Sequence, residues 1–432
     1  MNALLPLLYV ALCIVLIIRL PFFRSLNVPQ WSLVSVFALK VAAALALHTI
    51  YTYYYTDRTT ADVFKYFDDA QVLFATLYEN PSHFFQILFL PNPENLPHLQ
   101  AYFSDTWHWI RPTEMGLFND NQTIIRINMI LMLFSWGNIF VHHILAAFIS
   151  LVAFCLLYNV FIAYFPQQKL IVFLGIFCVP SSLFWASAML KECVVMLGLG
   201  LFLYGLHSLL QQFRRRALIL FVCGIFVLLH IKIYILAALI PASAAFFVCA
   251  QFPNLRAWKV YGGMYALCIL FLLVNYVLHG IPLFDSLAHK REISIMQTIE
   301  VQAGSALSLS YINGSIWDFA KETPAALWRA VALPYLWNIH SIMDVLPAME
   351  SFIIFVLILL VCLFPRKTNA AQQNLLLFSF VFSIALLWFT GITSATVGSI
   401  VRYRMPMLPF VFTALALCVE WRKLFTKYRL YR

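Results

Sequence analysis

Long apolar runs follow one another along almost the whole chain, with short polar connectors between them. Each run is continuous rather than alternating, which is typical of helices that cross a bilayer and not of the strands of a transmembrane barrel. The runs cover residues 3–20, 31–54, 145–165, 170–190, 194–212, 217–230, 234–251, 258–279, 352–364, 374–391 and 405–420. Because a spanning helix needs roughly 20 apolar residues, the pattern predicts an all-α, polytopic integral membrane protein with about 11–13 transmembrane helices.

Two longer polar segments interrupt this pattern. Segment 56–122 carries nine of the 18 acidic residues and only three basic ones, and segment 281–350 is the second. Lysine and arginine cluster instead at 214–216, 256–259, 366–367 and in the tail 421–432, which the positive-inside rule assigns to the cytoplasm. We therefore expect a single transmembrane domain over residues 1–432, with both segments on the outer face and containing interfacial helices.

One apolar stretch, residues 124–141, conflicts with this orientation if it spans the membrane. It is more polar than its neighbours, since it includes Arg126, Asn128 and Asn138. We interpret it as a re-entrant or interface-lying helix, and a short span that reverses the orientation is the alternative.

Composition narrows the classes of function. Of 432 residues, 63% are hydrophobic and 11% are charged, whereas a soluble domain has about 25% charged residues. This deficit excludes a soluble enzyme, a disordered chain and a fibrous rod. The net charge of +10 lies in short connectors, which favours contact with membrane lipid and no nucleic-acid partner. The nine cysteines form no CxxC pair and are expected as buried thiols without a metal site. The expected location is the bacterial cytoplasmic (inner) membrane.

The first polar segment holds the densest group of carboxylates, in the string TADVFKYFDDA that ends at Ala70. On a helix, Asp62, Tyr66 and Asp69 share one face, whereas Asp68 points away from it. A carboxylate there can act as general base toward an acceptor hydroxyl, so Asp62 and Asp69 are the predicted catalytic residues. Tyr66 and Asp68 are predicted substrate contacts. The carboxylates can instead hold a divalent cation, Mg²⁺ or Mn²⁺, or be solvated acids of a surface helix.

Five cations lie at the ends of apolar runs or near the start of stretch 124–141. Charge is costly at such positions, so a charged side chain there usually has a partner or a function. Together they suit a phosphate or pyrophosphate, because arginine offers a planar fork of donors and lysine a compact charge. Simpler explanations are a Lys191–Glu192 ion pair, snorkelling, or anchoring of the last helix by Arg402. The predicted substrate-binding residues of this group, with their neighbours, are Arg126, Lys191, Glu192, Lys232, Arg402, Tyr403 and Arg404.

Two further features have weaker functional signals. Lys40 lies in the middle of the second apolar run and is interpreted as structural, paired with a carboxylate of another helix. The second polar segment begins with an amphipathic stretch at 285–300, predicted to lie on the membrane, and continues with an Asn313-Gly314 turn. Its candidates for substrate contact are Arg329, His340 and Asp344.

Three strings together resemble a known family. They are the FDDA run with Asp62 before it, PSSLFWASAMLKE (180–192), and VGSIVRYRMPMLPF (397–410). With the plan of apolar helices and two polar segments, they resemble multi-span glycosyltransferases of the GT-C type and the related polymerases of surface polysaccharides. The resemblance implies transfer of a sugar from a polyprenyl-phosphate or pyrophosphate carrier to a glycan, lipid or protein acceptor at the outer face. It implies that Asp62 or Asp69 is the base. It also implies that Lys191, Arg402 and Arg404 contact the donor phosphate.

Other functions stay open at this stage. An O-antigen or exopolysaccharide polymerase is the nearest alternative. A transporter or flippase of lipid-linked sugars would need polar groups throughout the depth of the membrane, and often shows inverted repeats. A structural subunit of an export machine would need no site. The transferase hypothesis expects an acid and several cations in one pocket at the outer leaflet.

Overall fold

A computed structural model describes residues 4–54, 57–59, 61–110, 119–279, 283–339 and 341–424. Throughout these ranges the regular structure is helical, and extended pairing is limited to two isolated bridges, Ala306–Thr396 and Pro365–Val419. Eight of the described helices are long and apolar enough to cross a membrane. The chain is therefore an all-α, polytopic membrane protein, as the apolar runs predicted. His340 and residues 425–432 of the basic tail lie outside the described residues.

The helices follow the apolar and amphipathic patterns closely. In the first part of the chain they are α1 (Leu4–Arg19), α2 (Pro21–Arg24), α3 (Gln30–Tyr53), α4 (Asp62–Phe74), α5 (Thr76–Glu79), α6 (Pro81–Phe89), α7 (Gln100–Phe103), α8 (Asp120–Ser135), α9 (Ile139–Tyr164) and α10 (Lys169–Phe177). A 3₁₀ turn at Pro93–Asn95 lies between α6 and α7. The described part of segment 56–122 thus forms a series of short helices.

The second part continues the same pattern. Its helices are α11 (Pro180–Trp185), α12 (Lys191–Gln211), α13 (Arg215–Ile231), α14 (Ile233–Gln251), α15 (Ala257–His279), α16 (Leu283–Glu300), α17 (Ile316–Ala332), α18 (Ile342–Leu363), α19 (Ala370–Thr393), α20 (Val397–Arg404) and α21 (Leu408–Cys418). A 3₁₀ turn at Met405–Met407 joins α20 to α21. Most of α15 is exposed, as expected of a helix that faces lipid.

The helices of spanning length are α3, α9, α12, α14, α15, α18, α19 and the continuous α20–α21. Eight such helices among the described residues are fewer than predicted, because other apolar runs form shorter helices. These are α1 with 16 residues, α10 with 9 and α13 with 17. Helix α8 has 16 residues and covers much of 124–141, and its non-spanning character stays a prediction, as does the sidedness of both polar segments.

One compact unit consists of Met1–Leu156, Leu183–Gly205 and Ile219–Ile233. Within it, Leu47 of α3, Phe64 of α4 and Leu190 before α12 belong to one buried apolar cluster. Helix α12 also packs tightly on α9, because a Cβ atom at Gly200 would lie only 2.7 Å from the Ala153 carbonyl oxygen. Small residues allow such close approach of membrane helices. These contacts fix the positions at which α4 and α12 begin.

The second compact unit consists of Leu157–Ser182, Leu206–Leu218 and Tyr234–Arg432. Helices α17 and α19 pack closely, because a Cβ atom at Gly391 would collide with the Ala326 carbonyl. Helix α18 begins with a capping box in which the Ser341 N–H donates to Asp344 Oδ2 at 3.0 Å. The Asp344 carboxylate, a sequence-based candidate for substrate contact, therefore has a structural contact at the start of a helix.

Candidate functional site

Three helices of the first unit begin at charged residues that lie near one another. Helix α4 begins at Asp62, α8 at Asp120 and α12 at Lys191. The first N–H groups of a helix lack internal partners and carry partial positive charge, which favours carboxylates and other anions. Asp62 and Asp120 agree with this preference, whereas Lys191 opposes it and needs compensation from other groups.

Lys191 is the buried centre of this cluster, with 5% of its surface exposed. Its Nζ atom lies 2.7 Å from Asp120 Oδ2 and 2.7 Å from Asn121 Oδ1. The same atom lies 5.1 Å from the centre of the Tyr66 ring. A carboxylate, an amide oxygen and an aromatic face thus offset the cost of burying this ammonium group.

Asp62 continues the cluster on α4. Its carboxylate forms an ion pair with Lys65, and the Tyr66 hydroxyl donates to Asp62 Oδ1 at 3.5 Å. The Asp62 side chain is 16% exposed and the Asp120 side chain 20%, so both acids are reachable from outside the protein. The cluster is therefore a partly open group of acids and lysines around one phenol ring.

A second ion pair lies next to Lys191 along the chain. Lys232, between α13 and α14, places Nζ 3.4 Å from Glu192 Oε1. Both side chains are at least nine-tenths buried. The cluster thus contains three lysines and three carboxylates, which balance in charge, and we name it the helix-start cluster: Asp62, Lys65, Tyr66, Asp120, Asn121, Lys191, Glu192 and Lys232.

Asp69 has a different environment although it shares a helix with Asp62. Its two carboxylate oxygens accept the backbone N–H groups of Trp107 and His108 at 3.0 and 2.8 Å, and only 2% of the residue is exposed. Burial raises the pKa of Asp69 above its usual value, and the backbone hydrogen bonds partly oppose this rise. The carboxylate ties the 107–109 segment to α4, and its catalytic role stays a prediction.

Two other predicted contacts also have partners within the protein. Asp68 forms a bidentate pair with Arg58, both bonds 2.7 Å, on the surface. Arg126 donates to the carbonyls of Ile87 and Leu90 at 3.1 and 2.8 Å, near the end of α6. Burial lowers the pKa of Arg126 below its usual value. These contacts hold the first polar segment together.

Arg402, Tyr403 and Arg404 belong to the second unit. Arg402 and Tyr403 are half-buried, whereas Arg404 is fully buried. Four backbone carbonyls accept hydrogen bonds from the Arg404 guanidinium, at distances from 2.7 to 3.2 Å: those of Ala330, Val331, Leu333 and Pro347. Three of these carbonyls lie at the end of α17, where they lack helical partners. The described contacts of Arg404 are therefore structural ones, and a phosphate contact stays a prediction.

Two of the strings that resemble the transferase family come together in the second unit. The Ser182 hydroxyl donates to the Met405 carbonyl at 3.2 Å. Its neighbour Ser181 donates its N–H and hydroxyl to the two Glu350 carboxylate oxygens, at 2.5 and 2.6 Å. Glu350 also interacts electrostatically with Arg404. The two strings thus make contacts that hold the second unit together.

Sequence reasoning missed several members of these arrangements. Asp120 and Asn121 are not among the predicted site residues, although Asn119 before them is a recognisable helix cap whose side chain accepts the N–H groups of residues 121 and 122. Glu322 was also missed; its Oε1 atom accepts from Arg291 at 3.1 Å and from Arg329. No local signal links residues 291 and 322, because the contact arises only when α16 and α17 meet.

The carboxylates do not fit a divalent-cation site. Within the described residues, no three His, Cys, Asp or Glu side chains come together in an arrangement that could hold a metal ion. Asp62 and Asp120 each face a lysine ammonium instead.

Comparisons with protein-family models, with curated proteins and with solved structures find no match to this chain.

Proposed function

We propose that this protein is a membrane glycosyltransferase that moves a sugar from a polyprenyl-phosphate or polyprenyl-pyrophosphate carrier to a hydroxyl of a glycan, lipid or protein acceptor. The observation that carries the proposal is the helix-start cluster, where Asp62, Tyr66, Asp120 and Lys191 meet at the starts of three helices. A surface-polysaccharide polymerase uses the same chemistry with a longer acceptor and falls within this proposal.

The donor phosphate is the group that the cluster suits best. Lys191 supplies an ammonium group, and the first turn of α4, which has no side-chain cap, supplies N–H groups with partial positive charge. A phosphate leaves readily only when its growing negative charge is stabilised, so these groups act where charge develops. Lys232 is paired with Glu192, the residue after Lys191, so Lys191 is the proposed phosphate contact of the cluster.

Asp62 is the proposed general base. The acceptor hydroxyl oxygen forms a bond to the anomeric carbon while the bond from that carbon to the phosphate oxygen breaks. The hydroxyl proton passes to Asp62, and the bonding electrons leave with the phosphate. Asp62 suits this step better than Asp69, because both Asp69 oxygens already accept backbone N–H groups. Tyr66 holds the Asp62 carboxylate in place.

The location belongs to the same proposal. The outer face of the bacterial cytoplasmic membrane is supported by the scarcity of basic residues in segment 56–122 and their concentration in other connectors. The conclusion that the protein spans a membrane rests on the eight long apolar helices among the described residues.

The experiment measures sugar transfer by Asp62→Asn and Lys191→Gln variants, as surface glycan in the host and as product from a lipid-linked donor in membranes. Because a general base contributes at least about a hundredfold, we expect a loss of that order for Asp62→Asn. Matched controls are Asp105→Asn, an exposed acid of the same polar segment, and Lys169→Gln, an exposed lysine. Both controls should retain normal transfer.

Protein level in the membrane is measured alongside, because Lys191 is buried and its loss can impair folding. Asp62 is partly exposed, so Asp62→Asn decides the matter if the lysine variant does not accumulate. Full transfer by an Asp62→Asn protein that accumulates normally overturns the proposal.

Lys40 favours a second candidate, transport of lipid-linked sugars. It lies ten residues, or about 15 Å, into the 24-residue α3 and is fully buried. Among described contacts it donates to Ser150 Oγ at 2.8 Å and lies 4.0 Å from the Phe154 ring centre, not beside the carboxylate that we expected. Polar groups at mid-membrane depth are typical of transporters. Lys40→Met should leave transfer intact if the protein is a transferase, whereas loss of flipping in vesicles would support the transporter.

A further inference from the structure

A cleft in the second unit lies where the Asn313-Gly314 turn meets α16. It consists of two adjoining hollows of about 240 and 360 Å³, and both are lined by Asp285, Asn313 and Gly314. The remaining lining includes polar and aromatic side chains: His289, Glu292 and Tyr311 in one hollow, and Tyr276 and Trp317 in the other. We name it the turn cleft.

The turn cleft is shaped by a glycine. Gly314 has a φ of +74°, and a Cβ atom there would collide with Asp285 Oδ1. Only glycine combines this left-handed conformation with such a close approach to the carboxylate. Next to cleft residues in the chain, Phe284 packs against Phe319 with ring centres 5.4 Å apart, in an apolar cluster that also includes Ile312. The polar groups therefore adjoin a packed apolar cluster.

Charge limits what the cleft can bind. Its lining includes two carboxylates and one histidine, and neither lysine nor arginine is among the described lining residues. The adjacent cations on α16 are engaged elsewhere. Lys290 lies over the Tyr234 and Phe389 rings at 5.1 and 4.9 Å, and Arg291 donates to Glu322. The cleft is therefore negative, which disfavours phosphate, uronic acids and other anions.

We propose that the turn cleft binds a neutral or amino-substituted sugar, and that this sugar is part of the acceptor. Carboxylates accept hydrogen bonds from sugar hydroxyl groups, and the Asn313 amide both accepts and donates them. The exposed Trp317 and Tyr311 rings offer apolar faces to the C–H side of a sugar ring. The role of this sugar as acceptor rests on the proposed function, whereas sugar binding itself does not.

The test is direct binding by the full-length protein in lipid nanodiscs, followed by saturation-transfer NMR. The probes are chitotetraose, chitosan tetramer and maltotetraose, with inorganic pyrophosphate as the anionic comparison. We expect binding of at least one sugar probe, and about tenfold weaker binding by Asp285→Asn or Asn313→Ala, because a charge-assisted or amide hydrogen bond is lost. Glu300→Gln, an exposed acid at the end of the same helix, is the matched control and should bind normally.

Gly314→Ala tests the shape independently and should weaken binding at least as much, because its Cβ displaces the turn from Asp285. The proposal is overturned if no sugar probe binds, if binding is unchanged in the Asp285 and Asn313 variants, or if pyrophosphate binds in an Asp285-dependent way. Since binding is measured without turnover, an inactive enzyme that binds sugar contradicts the proposed function alone. An active enzyme without sugar binding contradicts the turn cleft alone.

Discussion

Replacement of Arg404 by methionine tests whether the most suggestive sequence motif binds substrate or stabilises the fold. The change removes a buried guanidinium that donates to four carbonyls, with the shortest bond, 2.7 Å, to Leu333. A hydrogen bond to a charged group contributes about 1.5–3 kcal/mol, but four bonds to one group are not additive. Removing one partner of a buried charge arrangement costs about 3–5 kcal/mol. We expect a loss of ~4 kcal/mol in the free energy of unfolding.

A loss of that size is a large share of the roughly 5–15 kcal/mol that stabilises most folded proteins. The Arg404→Met protein should therefore unfold several degrees earlier in detergent and accumulate poorly in the membrane. Arg402→Met is the matched comparison, because Arg402 is on the same helix but half-buried, and its unfolding temperature should fall much less. If Arg404→Met unfolds at the normal temperature but needs far more lipid-phosphate donor for half-maximal transfer, the structural explanation is refuted.

Two more predictions concern groups outside the spanning helices. Asp69→Ala leaves the partly buried N–H groups of Trp107 and His108 without this acceptor, so we expect about 1–3 kcal/mol of destabilisation and faster proteolysis near residue 107; an unchanged cleavage rate would contradict this. Burial raises the pKa of Glu322, but Arg329 and Arg291 outweigh it and hold the pKa below 4.5. The stabilisation is complete above pH 4.5 and is lost as pH falls through the folded-state pKa, so acid should lower the unfolding temperature less in Glu322→Gln than in the natural protein.

The elements that sequence could predict are those set by local pattern. The run 31–54 forms α3 at Gln30–Tyr53, and the run 258–279 forms α15 at Ala257–His279. The spacing of Asp62 and Tyr66 also places them together, since residues four apart share a helix face. These features depend on periodicity and hydropathy over a few turns, which the chain displays directly.

The partners of the charged groups could not be predicted in this way. Lys191 contacts Asp120, about seventy residues earlier, and Arg404 reaches carbonyls at the end of α17. Asp69 shares the face of Asp62 by spacing, yet it binds backbone groups of residues 107 and 108. Such contacts depend on how helices pack, and one sequence does not reveal packing between distant segments. The Arg-Tyr-Arg motif at 402–404, the most suggestive string in the sequence, therefore contributes a buried arginine whose described hydrogen bonds all go to backbone carbonyls of the protein.

The proposed transferase and the alternative transporter make different demands on the charge of the two candidate sites. In the first unit, the helix-start cluster holds three lysines and three carboxylates, and the proposed function places the donor phosphate beside the Lys191 ammonium group. In the second unit, the turn cleft is acidic, so it repels phosphate and suits hydroxyl groups. A transporter of a lipid-linked sugar needs a surface that accommodates the whole ligand, including its phosphate. A transferase binds an anionic donor and a hydroxyl-bearing acceptor, so two binding surfaces of different charge are compatible with the proposed function. Sugar binding at the turn cleft without pyrophosphate binding would therefore weigh against the transporter even before any turnover is measured.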